Sequence, residues 1–279
     1  MTMKKLLLLA VLLSGCASMS DRPAGVERLY VISCGENHVK DLARWAAADA
    51  GKSIQFKNHC YLIKHARGWL LWDTGNSDSF AALPNGNSVL GGMLVQYMKK
   101  PLLESLKEIG VAPADIQHLA MSHLHGDHAG NANYFTAATL YMQAPEYEAA
   151  FGPEPQKFGF VAANYAKLRD NKAVKLAGDH DVFGDGSVVI KSAPGHTIGH
   201  QVLLVRLPRT GPVILSGDLV HYTANWEGRR VPSMNFNPTQ SARSMTMVDE
   251  LMAQTGAKLW INHDPTQSNN LPKAPAYVQ

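Results

Sequence analysis

Three cysteines in 279 residues, Cys16, Cys34 and Cys60, have none of the short spacings that thiolate metal sites use. Charge of one sign is scarce as well. The chain carries 26 Lys and Arg against 23 Asp and Glu, and its basic runs are no longer than pairs such as Lys99-Lys100 and Arg229-Arg230. Without a basic stretch, nucleic acid is excluded as a partner. The apolar run Leu6–Leu13 has eight residues, where a membrane-spanning helix needs about 20. No glycine-rich nucleotide loop follows a strand-like segment, and no linker, repeat or low-complexity tract interrupts the chain after residue 25. What is present is a hydrophobic content of 46%, enough for one sizeable core.

The N-terminus has the layout of a secretory signal peptide over residues 1–15: Lys4 and Lys5, then Leu6–Leu13, then Ser14-Gly15. Setting it aside removes two of the 26 basic residues, leaving 24 against 23 acidic. Leu13-Ser14-Gly15-Cys16 resembles the lipobox of bacterial lipoproteins. The resemblance implies an acylated Cys16 and, over residues 16–27, a small polar tether to a membrane. Each buried acyl CH₂ would contribute about 0.8 kcal/mol of anchoring. Ala17 stands where lipoproteins kept at the inner membrane carry Asp, which points to the periplasmic face of a Gram-negative outer membrane. In an oxidising compartment Cys34 and Cys60 have two outcomes open, a disulfide or two buried thiols. Sequence spacing alone fixes no Cα separation to choose between them.

Residues 28–279 read as one α/β domain. Strands are expected at Leu29–Ser33, Tyr61–Lys64, Trp69–Trp72, His118–Met121, Thr139–Met142, Val188–Ser192, Gln201–Leu207, Val213–Leu215 and Lys258–Ile261. Pro101–Ile109 has helical spacing and stops at Gly110. A second helix opens at Asn237-Pro238, ends at Gly256 and places Ala242, Met245, Val248, Leu251 and Met252 on one face. Two packed sheets with helices outside would satisfy this order.

Ligand-type residues gather where strands end. Ser122-His123-Leu124-His125-Gly126-Asp127-His128 follows the strand at 118–121, placing three histidines and a carboxylate within six residues. Pro194-Gly195-His196, Gly217-Asp218 and Asn262-His263 each follow another apolar strand. A glycine beside two of them lets the backbone approach closely. Imidazole and carboxylate together suit zinc or a similar first-row ion.

The order His-x-His-x-Asp-His, Pro-Gly-His, Gly-Asp and a late His resembles the metallo-β-lactamase superfamily, over about residues 28–265. The resemblance implies an αββα sandwich with two divalent metal ions at one edge. Zinc is expected, and iron, manganese and cobalt accept the same ligands. Carried over by position, His123, His125 and His196 bind the first ion, Asp127, His128 and His263 the second, and Asp218 bridges both. Asp73, in Asp73-Thr74-Gly75, matches an aspartate that steadies the site. Water between two such ions loses a proton near neutral pH and becomes a nucleophile, while Asp127 is placed to carry a proton to the leaving group.

Within the superfamily, Asp218 separates the chain from β-lactamases, which mostly carry Cys or Ser there. Only 16 residues follow His263 here, so the glutathione-binding helical domain of glyoxalase-type thioesterases is not expected. The stretches Asn58–Ile63, Pro194–Gln201 and Val231–Pro238 resemble N-acyl homoserine lactonases. That resemblance implies a small-molecule lactone substrate and a tyrosine three residues after the bridging aspartate as a substrate contact. Here His221 occupies that position and Tyr222 follows it, so both are candidates for the role. Gly126 stands where some members place a bulky aromatic. Leu90–Met98 is expected to be a core-facing helix, with lining of an acyl pocket as the alternative, and Trp226 and Phe236 are further pocket candidates. The competing functions are hydrolysis of β-lactams or esters on the same metals, or non-catalytic metal binding by a lipoprotein. Oligomeric state is not encoded in any motif.

Overall fold

The computed structural model describes residues 25–279, so the signal peptide, Cys16 and most of the tether lie outside the described residues. Among the described residues, no helix is long and apolar enough to cross a membrane. Eight strands form the larger sheet: β1 (Val26–Val39), β2 (Ile54–His65), β3 (Gly68–Trp72), β4 (Asn87–Val89), β5 (Leu94–Tyr97), β6 (His118–Ala120), β7 (Thr139–Gln143) and β8 (Ala173–Leu176). Five form the smaller one: β9 (His180–Asp181), β10 (Val188–Ser192), β11 (Gln201–Leu207), β12 (Gly211–Leu215) and β13 (Lys258–Trp260). The strand order is β4-β5-β1-β2-β3-β6-β7-β8 in the first and β13-β12-β11-β10-β9 in the second.

Period-two alternation divides each central strand between two cores. In β2, Tyr61 and Ile63 face the smaller sheet, while Cys60 and Leu62 face outward. In β11, Leu203 and Val205 face the larger sheet, while Val202 and Leu204 face outward. The space between the sheets is filled by Val31, Leu70 and Trp72 against Ile190, Val213 and Leu215. The outer faces are covered by helices. Leu102 and Leu106 of α1 (Leu102–Ile109) and Ala150 of α2 (Ala144–Phe151) cover the larger sheet. Two short helices, α3 (Thr223–Glu227) and α5 (Pro265–Asn270), flank the long α4 (Pro238–Thr255), which packs Met245, Val248 and Leu251 on the smaller sheet. This is the αββα sandwich of the expected α/β class.

The long helix begins and ends where expected. The Asn237 side chain accepts a hydrogen bond from the Gln240 N–H, and Gly256 closes the last turn at φ 68°. Its buried face, however, runs through Ser241, Ser244, Met245, Val248 and Leu251, and Ala242 is exposed. Two serines take core-facing positions because their hydroxyls are used. Ser244 Oγ donates to the Pro194 carbonyl and Ser241 Oγ accepts from the Asn235 amide.

The segment Leu90–Met98 is not a helix. Its apolar residues fall at helical spacing, but Leu90, Gly91 and Gly92 have φ of 52°, 64° and 84°, and β5 pairs with β1 from Leu94 to Tyr97. Left-handed residues cannot continue a right-handed helix.

Cys34 and Cys60 form a disulfide across β1 and β2, with Cα atoms 5.7 Å apart. It closes a loop with a sequence separation of 26 residues, for which chain-entropy arguments give about 3 kcal/mol of stabilisation. A Cys34→Ala/Cys60→Ala double variant should lose about that much in urea denaturation. An unchanged unfolding midpoint would contradict a stabilising role for the bridge.

Strand direction gathers the site. β3, β6 and β7 are parallel neighbours in the larger sheet. In the smaller sheet β12 and β13 are parallel, and β10 runs the same way because it and β12 are both antiparallel to β11. The loops after these strands therefore emerge together at one edge of each sheet, and they carry Asp73, Ser122–His128, His196, Asp218 and His263.

Candidate metal centre

Two groups of ligand-type atoms form at the joined edges. His123, His125, His196 and Asp218 offer one atom each, all within 4.8 Å of one another, and Asp127, His128 and His263 do the same beside them. The Asp218 carboxylate lies between the groups and divides its oxygens. Oδ2 is 3.3 Å from His196 Nε2 and 3.9 Å from His123 Nε2. Oδ1 is 3.1 Å from His128 Nε2 and 3.0 Å from His263 Nε2. Asp127 Oδ2 is 3.7 Å from His263 Nε2 and 3.9 Å from His128 Nε2.

The outward nitrogens of these rings decide what the inward ones present. His128 Nδ1 donates to Asp73 Oδ2, at 3.0 Å. His196 Nδ1 donates to Asn235 Oδ1, at 3.0 Å, and His263 Nδ1 to the Lys57 carbonyl, at 2.6 Å. Ser122 Oγ donates to Asp73 Oδ2 and so accepts from His123 Nδ1, at 3.1 Å. A neutral imidazole that donates at one nitrogen presents a lone pair at the other. Lone pairs thus converge from several sides. His123 Nε2 and His196 Nε2 lie 2.9 and 3.0 Å from His125 Nδ1, and His128 Nε2 lies 3.3 Å from His263 Nε2. Asp218 Oδ1 is buried without any hydrogen-bond partner. Packed acceptors of this kind are repulsive unless cations sit among them, so the donor set fits two divalent ions.

The electrostatics divide the rings. Burial pushes the Asp218 carboxyl up, but positive charge around it, foremost at His128, outweighs that and holds it well below the carboxylate range. The Asp218 carboxylate in turn raises His128 and His263 against their burial. Burial drives His123 and His196 well below the usual imidazole value, keeping them in the neutral form that binds metals.

The supporting layer is built from backbone as much as from side chains. Asp73, fully buried at φ 59°, accepts from the Ser122 N–H at 2.6 Å and so fixes the start of the histidine loop. Gly217 and Gly195 are required by close approach. A Cβ on Gly217 would lie 2.4 Å from the Ser122 Cβ, and one on Gly195 would lie 2.3 Å from the Ser241 nitrogen. Asn37, Asn76 and Glu146 were not singled out in the sequence, and Asn58 and His200 only as members of the lactonase-like stretches. Asn37 Nδ2 donates to Asp127 Oδ2 at 2.7 Å, and Asn76 Nδ2 holds the Asn37 oxygen at 3.0 Å, fixing which way the amide faces. His200 Nε2 accepts from the Asp218 N–H, at 3.0 Å. The available signal was position: Glu146 and His200 also lie at strand ends on this edge, after β7 and before β11.

A cavity of about 370 Å³ opens over the two groups, with apolar walls from Trp45, Phe56, Val89, Leu90, Leu94 and Met234. Leu90 thus lines it from the turn between β4 and β5, and Leu94 from the start of β5. Gly126 and Val161 form another part of the wall, and a Cβ on Gly126 would meet the Val161 side chain at 3.8 Å. Trp226 packs instead in the core under α4, and Phe236, 52% exposed, sits against Phe158, so neither lines the cavity.

The two candidates after Asp218 part company. His221 is on the cavity wall, with Nε2 3.1 Å from Asp218 Oδ2. Tyr222 turns the other way. Its ring packs with Val39, Trp45 and Phe56, and its hydroxyl donates to Asp49 Oδ2 at 2.8 Å. The expectation that Tyr222 reaches substrate is therefore corrected: its one donor proton is spent on Asp49, away from the ligand groups. Tyr222→Phe should leave kcat and KM of hydrolysis unchanged while lowering the thermal midpoint. A large fall in kcat would contradict this assignment.

Comparison with known proteins fits this geometry. The family model of the metallo-beta-lactamase superfamily matches residues 55–254. The chain belongs to the metallo-beta-lactamase superfamily. As a superfamily member it is a metal-dependent hydrolase. It is 33% identical to the N-acyl homoserine lactonase AttM of Rhizobium johnstonii, over 90% of this chain and 98% of that protein. It is 30% identical to the AttM lactonase of Azorhizobium caulinodans, with the same coverage. Among solved structures, it resembles an N-acyl homoserine lactone hydrolase with the product N-hexanoyl-L-homoserine bound at the catalytic metal center. That similarity has a TM-score of 0.80 and 28% identity, covering 91% of this chain and 100% of the other.

Proposed function

We propose that this superfamily member is a dinuclear hydrolase that opens the ring of N-acyl homoserine lactones or closely similar lactones. The observation that carries the proposal is the division of the Asp218 oxygens between two converging ligand groups beneath a largely apolar cavity. In this reading His123, His125 and His196 hold one ion, Asp127, His128 and His263 the other, and Asp218 both. When bound, the ions supply Lewis acidity toward the lactone carbonyl and lower the pKa of water toward neutrality.

The chain's own groups do the remaining work. The cavity wall receives the acyl chain and excludes water from it. His221, poised beside Asp218, contacts the polar lactone head. Asp127 is held by Asn37 through Oδ2 and by Asn58, whose amide donates to the Asp127 carbonyl at 2.6 Å. From that fixed position its carboxyl takes the proton given up as water adds to the lactone carbonyl carbon, and passes it to the ring oxygen as the acyl C–O bond breaks, giving the open hydroxy acid. The lipid anchor on Cys16 and a periplasmic, outer-membrane location belong to the same proposal and rest on the N-terminal sequence alone. An anchored lactonase there would meet diffusible lactones between the membranes.

The discriminating experiment compares substrates on one metal-quantified preparation. Acyl homoserine lactones of short and long chain, a β-lactam and an aryl ester are given in parallel. The proposal expects the lactones to have the highest kcat/KM. A preference for the β-lactam or the ester would overturn the substrate class while leaving the hydrolase in place.

A further inference from the structure

Behind the first ligand group lies a carboxylate that touches no ligand ring. Glu146, at the start of α2, is 1% exposed. Its Oε1 accepts from the Leu124 N–H at 3.1 Å, and Leu124 is the residue between His123 and His125. The Thr197 hydroxyl, next in sequence to His196, reaches both carboxylate oxygens at 3.0 and 2.8 Å. Oε2 also accepts from the Gly199 N–H, at 2.8 Å. The contact is close-fitting, since a Cβ on Gly199 would lie 2.7 Å from the Glu146 Cβ. The loop after β6 and the loop after β10 belong to different sheets, and this one side chain bonds to both. Burial pushes the Glu146 carboxyl up to about 7, against the opposing pull of these hydrogen bonds. A buried carboxyl is retained at such cost only where its bonds are needed.

We propose that Glu146 is a positioning residue that clamps the two histidine loops of the first metal site, and so sets the affinity of that ion without touching it. The inference rests on the ligand assignment proposed above. Asp127 and His128 share the loop after β6 with Leu124, but they are held separately, by Asn37, Asn58 and Asp73. No bond runs from Glu146 to either of them or to the His263 loop, so the second ion should be indifferent to it. Glutamine keeps the shape but replaces one acceptor oxygen with an N–H donor. It would face Leu124 N–H or Gly199 N–H donor to donor, whichever way the amide turns.

The test is metal content and chelator competition on the wild type, Glu146→Gln and Thr197→Val, with cobalt substitution to report the coordination of each site spectroscopically. Outer-shell partners typically set affinity by 10–100-fold. Glu146→Gln should release one of two ions at about 10–100-fold lower chelator concentration, with the spectrum of the second unchanged. Thr197→Val, which removes one arm and leaves the Leu124 and Gly199 bonds, should show a smaller shift in the same ion, and it serves if Glu146→Gln does not fold. Two ions held as tightly as in the wild type, or both lost together, would overturn the clamp while leaving the dinuclear centre intact. A wild type that binds fewer than two ions would overturn the ligand assignment and the clamp with it.

Discussion

Asp218→Asn is expected to leave a folded protein that keeps at most one tightly bound metal ion and loses lactone opening by more than about 100-fold. The magnitude follows from comparison with outer-shell substitutions, which already cost 10–100-fold. Asp218 is placed to contribute more, because each of its oxygens faces a different ligand group, at 3.0 to 3.3 Å from the nearest imidazole nitrogens. An asparagine offers one acceptor oxygen and turns an NH₂ toward the other group, where His196 and His221 already press. The neutral side chain also removes the negative charge on which both groups converge. Metal analysis and initial rates on one preparation check both halves. Retention of two ions with wild-type rates would show that Asp218 is not shared.

The second large effect belongs to Asp73. This carboxylate is fully buried and accepts three hydrogen bonds, from the Ser122 N–H, the Ser122 hydroxyl and His128 Nδ1. Asp73→Asn would leave a donor facing donors, and breaking such a buried pair costs about 3 kcal/mol or more. The same change frees His128 to turn, so a 10–100-fold loss of metal affinity is expected beside the loss of stability. Addition of excess metal should then recover part of the activity and part of the thermal midpoint, since an ion bound only by the native state stabilises it by mass action. A variant as stable and as tightly metallated as the wild type would contradict the role given to Asp73.

How much of this was legible beforehand depended on whether a residue lay inside a short motif. The strand ends were legible because strong apolar runs stop at turn residues, and the ligand-type residues follow immediately, as at Val188–Ser192 before His196. The helix at 238–255 was legible from its caps, Asn237 and Gly256, but not its whole face. Ser241 and Ser244 look polar in sequence and become core-facing only because Asn235 and Pro194 are there to meet them. Leu90–Met98 misleads for a different reason. Apolar spacing repeats like a helix, yet backbone conformation at Leu90-Gly91-Gly92 and pairing with β1 make it an edge hairpin. The choice between His221 and Tyr222 was not legible either. It depends on which way an irregular loop turns after β12, and on Asp49 being available, far away in sequence, to take the tyrosine proton. Glu146 and Asn37 act at sequence distances of 53 and 90 residues from their partners Gly199 and Asp127, beyond the reach of any local pattern.

The most direct measurement is diffraction from crystals of the metal-loaded protein, recorded on both sides of the absorption edge of the bound metal. The account predicts two anomalous peaks flanking the Asp218 carboxylate, one against His123, His125 and His196 and the other against Asp127, His128 and His263. A single peak, or a pair that leaves Asp218 bound to only one of them, would contradict it.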